Sequence, residues 1–182
     1  MNLSTAERWV RRAGGLGASL FILMVYQGLY QASRQAAGRT VGQTPVLVRQ
    51  PFSWRLLPIS AASFGVLYAL WRPIRLPLPA PARAIALALG GAFYLAGLGL
   101  MAWGRWQLGD MYNLSTSTGA QLFAGHRLVT AGPFAWVRHP MYLGGILAEV
   151  GALLVYRTWT TLAIALDIPS LLRRALREEA GL

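Results

Sequence analysis

"AGPFAWVRHPMYLGGILAEVGALL", residues 131–154, sets a polar, ring-rich stretch against the start of an apolar run. Gly132–Pro133 can turn the chain sharply. Pro140 suits the first residue of a helix, because its missing N–H would have no intrahelical acceptor there. A helix is therefore expected from Pro140 to about residue 156, with His139 at the cap and Tyr142 in the first turn. Such a start presents backbone N–H groups and a field that favours a carboxylate. Phe134 and Trp136 can form an aromatic wall beside it. The plainer alternative has Arg138 and His139 meeting headgroups while Trp136 and Tyr142 form an interfacial belt. The concentration of turn, cap and rings favours a ligand site.

Beyond this stretch the chain is apolar in blocks. Of 182 residues 55% are hydrophobic and only 13% are charged, whereas soluble domains carry nearer a quarter. Runs near spanning length occur at about 13–33, 54–71, 82–104, 140–156 and 158–172. The expectation is an all-α polytopic membrane protein with about five membrane-embedded helical segments. The last two form a tight hairpin around Arg157, and Asp167 with Pro169 breaks its second arm. "SLLRRALREEAGL", residues 170–182, then continues as an amphipathic interfacial helix. Two parts are expected: residues 1–104 as a helical scaffold and 105–182 as the functional core. Glycines 90, 91, 97 and 99 mark a helix contact face in the third run.

All 17 basic side chains are arginine, and the formal net charge is +11. They flank apolar runs, where they can snorkel and meet anionic headgroups, so membrane lipids rather than nucleic acid are the expected partners. There are no cysteines, which excludes disulfides and thiol catalysis. Two histidines and six acids leave little for a metal site, and none is expected. Placing 34–53 with the adjoining Arg55, 105–139 and the C-terminus on one side gives it ten arginines against seven, weak support for a cytoplasmic face there. Glu149 lies seven residues after Tyr142 on nearly the same helical face, with Asp167 in the opposing arm. Carboxylates at membrane depth must meet protein, water or a cation, as structural hydrogen bonds or in a direct role.

Two elements carry a resemblance: "HRLVTAGPFAWVRHPMYLG", residues 126–144, and "REEAGL", residues 177–182. They resemble the integral-membrane isoprenylcysteine carboxyl methyltransferases and their phospholipid-methylating relatives. Leu108-Gly109 followed by Tyr112 is a softer match, and the likeness covers roughly residues 103–182. The first element is specific; the Glu-Glu-x-x-Leu pattern alone is common by chance. The resemblance implies S-adenosylmethionine as methyl donor, bound by His126, Arg127, Leu128, Val129, Phe134, His139, Pro140, Met141, Tyr142 and Glu178. It implies Arg174 as the catalytic residue on the substrate side. Phe134 stands where the family often has Tyr and cannot donate a phenolic hydrogen bond. Tyr112 stands for a frequent Trp, and the family pattern runs on past the glutamates, so residues beyond Leu182 are expected.

The implied reaction is methyl transfer to a membrane-associated lipidic acceptor, such as the carboxylate of an isoprenylated cysteine-like substrate. The enzyme would be an integral membrane protein, in the plasma or inner membrane if the source is prokaryotic, with its active site facing the cytoplasm. Phospholipid N-methylation uses the same donor and stays open, as does the oligomeric state. An NADPH-dependent sterol or isoprenoid reductase shares this topology but needs a nucleotide signature that the chain lacks. A non-enzymatic lipid-binding protein is the remaining alternative.

Overall fold

A computed structural model describes residues 3–35, 56–109 and 129–180. Six α-helices and one short 3₁₀ turn are formed there: α1 (Leu3–Gln35), α2 (Leu56–Ala69), α3 (Ala80–Leu108), the turn Gly132–Ala135, α4 (Pro140–Tyr156), α5 (Trp159–Ala165) and α6 (Ile168–Ala180).

The centre of the fold is the pairing of α3 with α4. Small residues recur on the facing sides at heptad spacing, Gly90, Gly97 and Gly104 on α3 and Gly144 and Gly151 on α4. Gly90 lies against Leu154, Gly97 against Ala148 and Gly104 against Met141, so the two helices run antiparallel. No side chain separates the backbones. A Cβ on Gly151 would come within 2.3 Å of the Tyr94 backbone nitrogen, and one on Gly97 within 2.5 Å of the Ala148 nitrogen. Each glycine weakens its own helix by about 1 kcal/mol relative to Ala. Close backbone approach offsets this through dispersion contacts, the device membrane helices use when burial alone gives little drive. Of the four glycines expected to mark a contact face, Gly90 and Gly97 meet α4 and Gly91 meets Val10 of α1. Gly99 has nothing within 4 Å of where a Cβ would stand.

α1 lies parallel to α3, as the pairs Val10–Gly91, Gly14–Tyr94 and Gly17–Leu98 show. Its amino-terminal half is fastened by polar contacts at the far end of α4. The Tyr156 hydroxyl donates to the Arg11 carbonyl at 2.7 Å, and Arg11 Nε donates to the Val155 carbonyl at 3.2 Å. Glu7, 7% exposed, accepts from Arg83 at 2.6 Å and from Arg157. Burial alone would raise the Glu7 carboxyl, but the hydrogen bonds and charges of Arg157 and Arg83 outweigh it and hold the group below its ordinary range.

The reversal after α4 is made by Arg157 in the left-handed region, φ 52°, the only non-glycine residue with positive φ among the described residues. That conformation costs about 1–2 kcal/mol. It persists because the Arg157 N–H closes on the Leu153 carbonyl, its own carbonyl accepts from Ile74, and its guanidinium reaches Glu7. Thr158 then caps α5 through a reciprocal bond pattern with Thr161, which fixes the helix entry. Thr160 ties the same point to the end of α2, donating through its hydroxyl to the Leu67 carbonyl at 2.6 Å.

The expected arrangement of about five membrane-embedded segments is overturned. Among the described residues one helix, Ala80–Leu108, is long and apolar enough to cross a membrane. Only 28% of its apolar window is buried within the chain, which distinguishes it from the core helix of a water-soluble domain. α2, α4 and α5 have 14, 17 and 7 residues. At 1.5 Å per residue they reach about 21, 26 and 11 Å, short of a hydrocarbon core of about 30 Å. α1 is long but mixed, with Glu7, Arg8, Arg11 and Arg12 near its start and Gln27, Gln31, Arg34 and Gln35 near its end. The second arm of the hairpin is not one helix: the chain turns at Leu166–Asp167 and resumes as α6. α6 is the amphipathic one, with Leu172 and Leu176 exposed.

Candidate functional site

The motif occupies the end of the pair where α3 finishes and α4 begins. Gly132, at φ 63°, starts the 3₁₀ turn, and a Cβ there would stand 2.9 Å from the Gln107 side-chain oxygen. Only glycine combines that conformation with that clearance. The Pro133 carbonyl accepts from the amides of Trp136 and Val137, at 3.2 and 3.0 Å. Pro133 and Pro140 are both completely enclosed, so the turn and the helix start are pinned by two rigid rings. Met141 packs on Gly104, which locks the helix start to the last turns of α3.

Pro140 is the first residue of α4, and His139 is its cap residue without a side-chain capping bond. The His139 and Tyr142 rings lie 5.7 Å apart, tilted at 53°. Val129, Phe134, Met141 and Tyr142 are half-buried. Of the expected donor-binding residues, His139, Pro140, Met141 and Tyr142 stand together at the helix start. Trp136 does not join them as a wall: it is 84% exposed and stands edge-on to Trp103 at 6.5 Å. Trp106, 83% exposed, lies on the same end of α3, and exposed tryptophans of this kind are the pattern of an interfacial belt.

His126, Arg127 and Leu128 lie outside the described residues. Arg174 and Glu178 fall on α6, of which the backbone path at those positions is described. That path is informative. A Cβ on Gly145 would meet Leu171 at 3.5 Å, and Asp167 is an electrostatic neighbour of Glu149. As the numbers rise on α6 they fall on α4, so the two helices are antiparallel. The backbone at 174–178 accordingly advances along α4 toward Pro140. One carboxylate oxygen of Glu149, Oε2, is buried with no hydrogen-bond partner among the described residues.

Two contributors at this end carry no motif. Arg105 is buried, 8% exposed, one residue beyond the glycine that receives Met141, and its guanidinium donates to the Gly109 carbonyl at 3.1 Å. Gln107 fills the space beneath the Gly132 turn. The sequence signal for Arg105 is a lone cation at the end of an apolar run, which reads equally as a headgroup contact. A hollow of about 500 Å³ between α1 and α3 is lined by Met24, Gln27, Ala102, Trp103, Arg105 and Trp106. It opens beside these tryptophans, so apolar surface and one cation meet there.

Chemically, this end combines a helix start with no side-chain cap among the described residues, two tilted rings, a buried cation and a returning helix with Arg and Glu in its sequence. That set can hold an anionic or zwitterionic small molecule against aromatic surface.

No curated protein and no solved structure matches the chain. The profile of the isoprenylcysteine carboxyl methyltransferase (ICMT) family matches residues 89–182, which take in most of α3, the turn, α4, α5 and α6. The chain belongs to the isoprenylcysteine carboxyl methyltransferase family, and its activity class is S-adenosylmethionine-dependent methyl transfer to a lipidic acceptor.

Proposed function

We propose that this protein esterifies the carboxylate of an isoprenylated, cysteine-like acid held in the membrane, at the α3–α4 end that carries the motif. The observation that carries this reading is the family match over residues 89–182, which contains the 131–142 turn and helix start together with Arg174 and Glu178. The described residues fit the donor. The start of α4, with no side-chain cap among the described residues, favours its carboxylate, and the unpartnered Glu149 oxygen leaves an acceptor for a cationic or N–H group. When bound, S-adenosylmethionine supplies a methyl group already activated on a cationic sulfonium.

The chain's residues then have binding and alignment to do rather than covalent chemistry. His126, Arg127, Leu128 and Val129 form one side of the donor pocket; Phe134, His139, Pro140, Met141 and Tyr142 form the other. Glu178 balances the donor's positive charge. Arg174 orients the acceptor carboxylate through a planar two-point contact. A carboxylate is already a nucleophile at neutral pH, so no general base is needed and neither histidine must move a proton. Alignment of acceptor oxygen, methyl carbon and sulfur supplies the rate gain, and a site closed to bulk water protects it. The acceptor's hydrophobic tail comes from the bilayer and the donor from the cytoplasmic side.

Calorimetric titration of the purified protein with S-adenosylhomocysteine and with NADPH tests the donor. S-adenosylhomocysteine is expected to bind, and Glu178→Ala to weaken it by about tenfold or more, the worth of a charge-assisted contact. Binding of NADPH alone would overturn the reading. Transfer of labelled methyl to an S-farnesylated cysteine acid tests the acceptor: the product should release its label in mild base, as a methyl ester does. Base-stable label on an aminophospholipid would replace the carboxylate by an amine.

A further inference from the structure

The opposite end of the helices gathers cations around a hollow that the methyl-transfer reading does not use. A cavity of about 670 Å³ is lined there by Arg11, Arg83 and Arg157 with Glu7 among them, together with Trp71, Ile74 and Leu76. Glu7 bonds Arg83 at 2.6 Å and Arg157 more closely, while Arg11 stands 4.0 Å away. Three guanidinium groups against one carboxylate leave two positive charges in surplus. The side chains of Arg11 and Arg83 are each 40% exposed, so the cations of the hollow are reachable. An adjoining hollow of about 560 Å³ adds Arg72 and Arg75 beside Trp159. Glu7 is the only acid in the segments that build this end, residues 3–14, 70–83 and 151–160.

Fastening α1 to the hairpin accounts for Glu7 and its two bonded partners. It does not account for the surplus charge, nor for a hollow whose lining combines cationic and apolar residues. α3, at 29 residues, separates Arg83 from the Pro140 end by most of its length of about 44 Å, so this is not an extension of the donor pocket. We propose that the cavity binds the headgroup of an anionic phospholipid, with Arg11, Arg83 and Arg157 on the phosphate diester. Trp71, Ile74 and Leu76 cover the glycerol and the first methylenes. Arginine forks match phosphate oxygens two at a time, and basic pockets between membrane helices hold anionic headgroups in this way. Free phosphate shares the charge but leaves the apolar lining uncovered.

Native mass spectrometry of the full chain, released from micelles doped with phosphatidylglycerol or phosphatidylcholine, tests this. Both lipids carry the phosphate diester, but the trimethylammonium of phosphatidylcholine adds a positive charge beside the arginine surplus, so phosphatidylglycerol should be retained about tenfold better. Arg11→Gln should reduce that retention several-fold while leaving the Arg83 and Arg157 bonds to Glu7 in place. Because Arg11 also holds the Val155 carbonyl, Leu76→Trp is the second variant: it fills the hollow without altering charge and should reduce retention equally. Affinity for S-adenosylhomocysteine should be unchanged in both, which separates this test from the methyl-transfer reading. Equal retention of the two lipids, undiminished phosphatidylglycerol in both variants, or its displacement by equimolar inorganic phosphate would each overturn the proposal.

Discussion

At one end of the α3–α4 pair a carboxylate is closed in by three arginines, a tyrosine hydroxyl grips the backbone of α1, and a left-handed arginine turns the chain. At the other end two enclosed prolines and a glycine turn shape a helix start that has no side-chain capping bond among the described residues. The first end is crosslinked across α1, α3, α4 and the 70–79 segment. The second is pinned by its glycine turn and its two enclosed prolines. One end is thus held by side-chain crosslinks and the other by backbone geometry, with one glycine-lined seam between them.

The largest expected effect comes from breaking that seam, because both ends depend on it. Gly151→Ala would drive a methyl group into the Tyr94 backbone nitrogen at 2.3 Å and the Gly90 carbonyl at 2.7 Å, neither of which can swing aside. A cost of about 3 kcal/mol is expected, at the upper end of overpacking penalties. Thermal unfolding in detergent followed by circular dichroism would measure it, with donor binding and lipid retention falling together. If one end kept its binding, the seam would not be the shared support argued for here.

Glu7→Gln should affect one end only. It leaves Arg83, Arg11 and Arg157 facing each other, but the first two are 40% exposed, so water relieves part of the repulsion. About 1–2 kcal/mol is expected rather than the full cost of splitting a buried pair. The pH dependence sharpens the point. Since the folded Glu7 carboxyl lies below the ordinary value of 4.5, its contribution is complete above about that pH. It disappears as the pH falls through the folded value. Acid titration of stability should therefore show a loss below 4.5 in the parent protein that is absent in Glu7→Gln.

Thr158→Ala, which removes the α5 cap at the same end, should cost about 1 kcal/mol in the same unfolding measurement and leave S-adenosylhomocysteine affinity intact. The smallest effect belongs to Gly99→Ala, only two residues from Gly97. Nothing lies within 4 Å of its added methyl, so the change should fall within about 0.5 kcal/mol. A destabilisation like that of Gly151→Ala would mean that the exposed face of α3 is covered.

The motif end was largely legible in the residues. Pro140 announced the helix start, Gly132–Pro133 the turn, and the 126–144 signature the family, because each is a local constraint on a few consecutive backbone angles. Whether Trp136 joins a wall or a belt was not legible: a ring at a turn can point either way, and only the presence of Trp103 on a distant helix decides which. The number of spans was overestimated for a related reason. Hydropathy counts apolar residues but cannot see that α5 stops after 7 residues where the chain turns, or that α4 is apolar in order to pack on α3. The opposite end was illegible. Glu7 and Arg157 are 150 positions apart and belong to no pattern, and the seven arginines assigned to that side entered only as a count.

What the sequence by itself determined is therefore the local: where helices begin and turn, which glycines a close approach requires, the all-arginine surface, and the kinship that names the reaction class. Only the tertiary structure decided that α1 runs parallel to α3, that α6 returns along α4 toward Pro140, and that three arginines and a single buried glutamate meet around one hollow. Those facts depend on residues far apart in the chain becoming neighbours, and charge, unlike backbone geometry, acquires its meaning from what surrounds it.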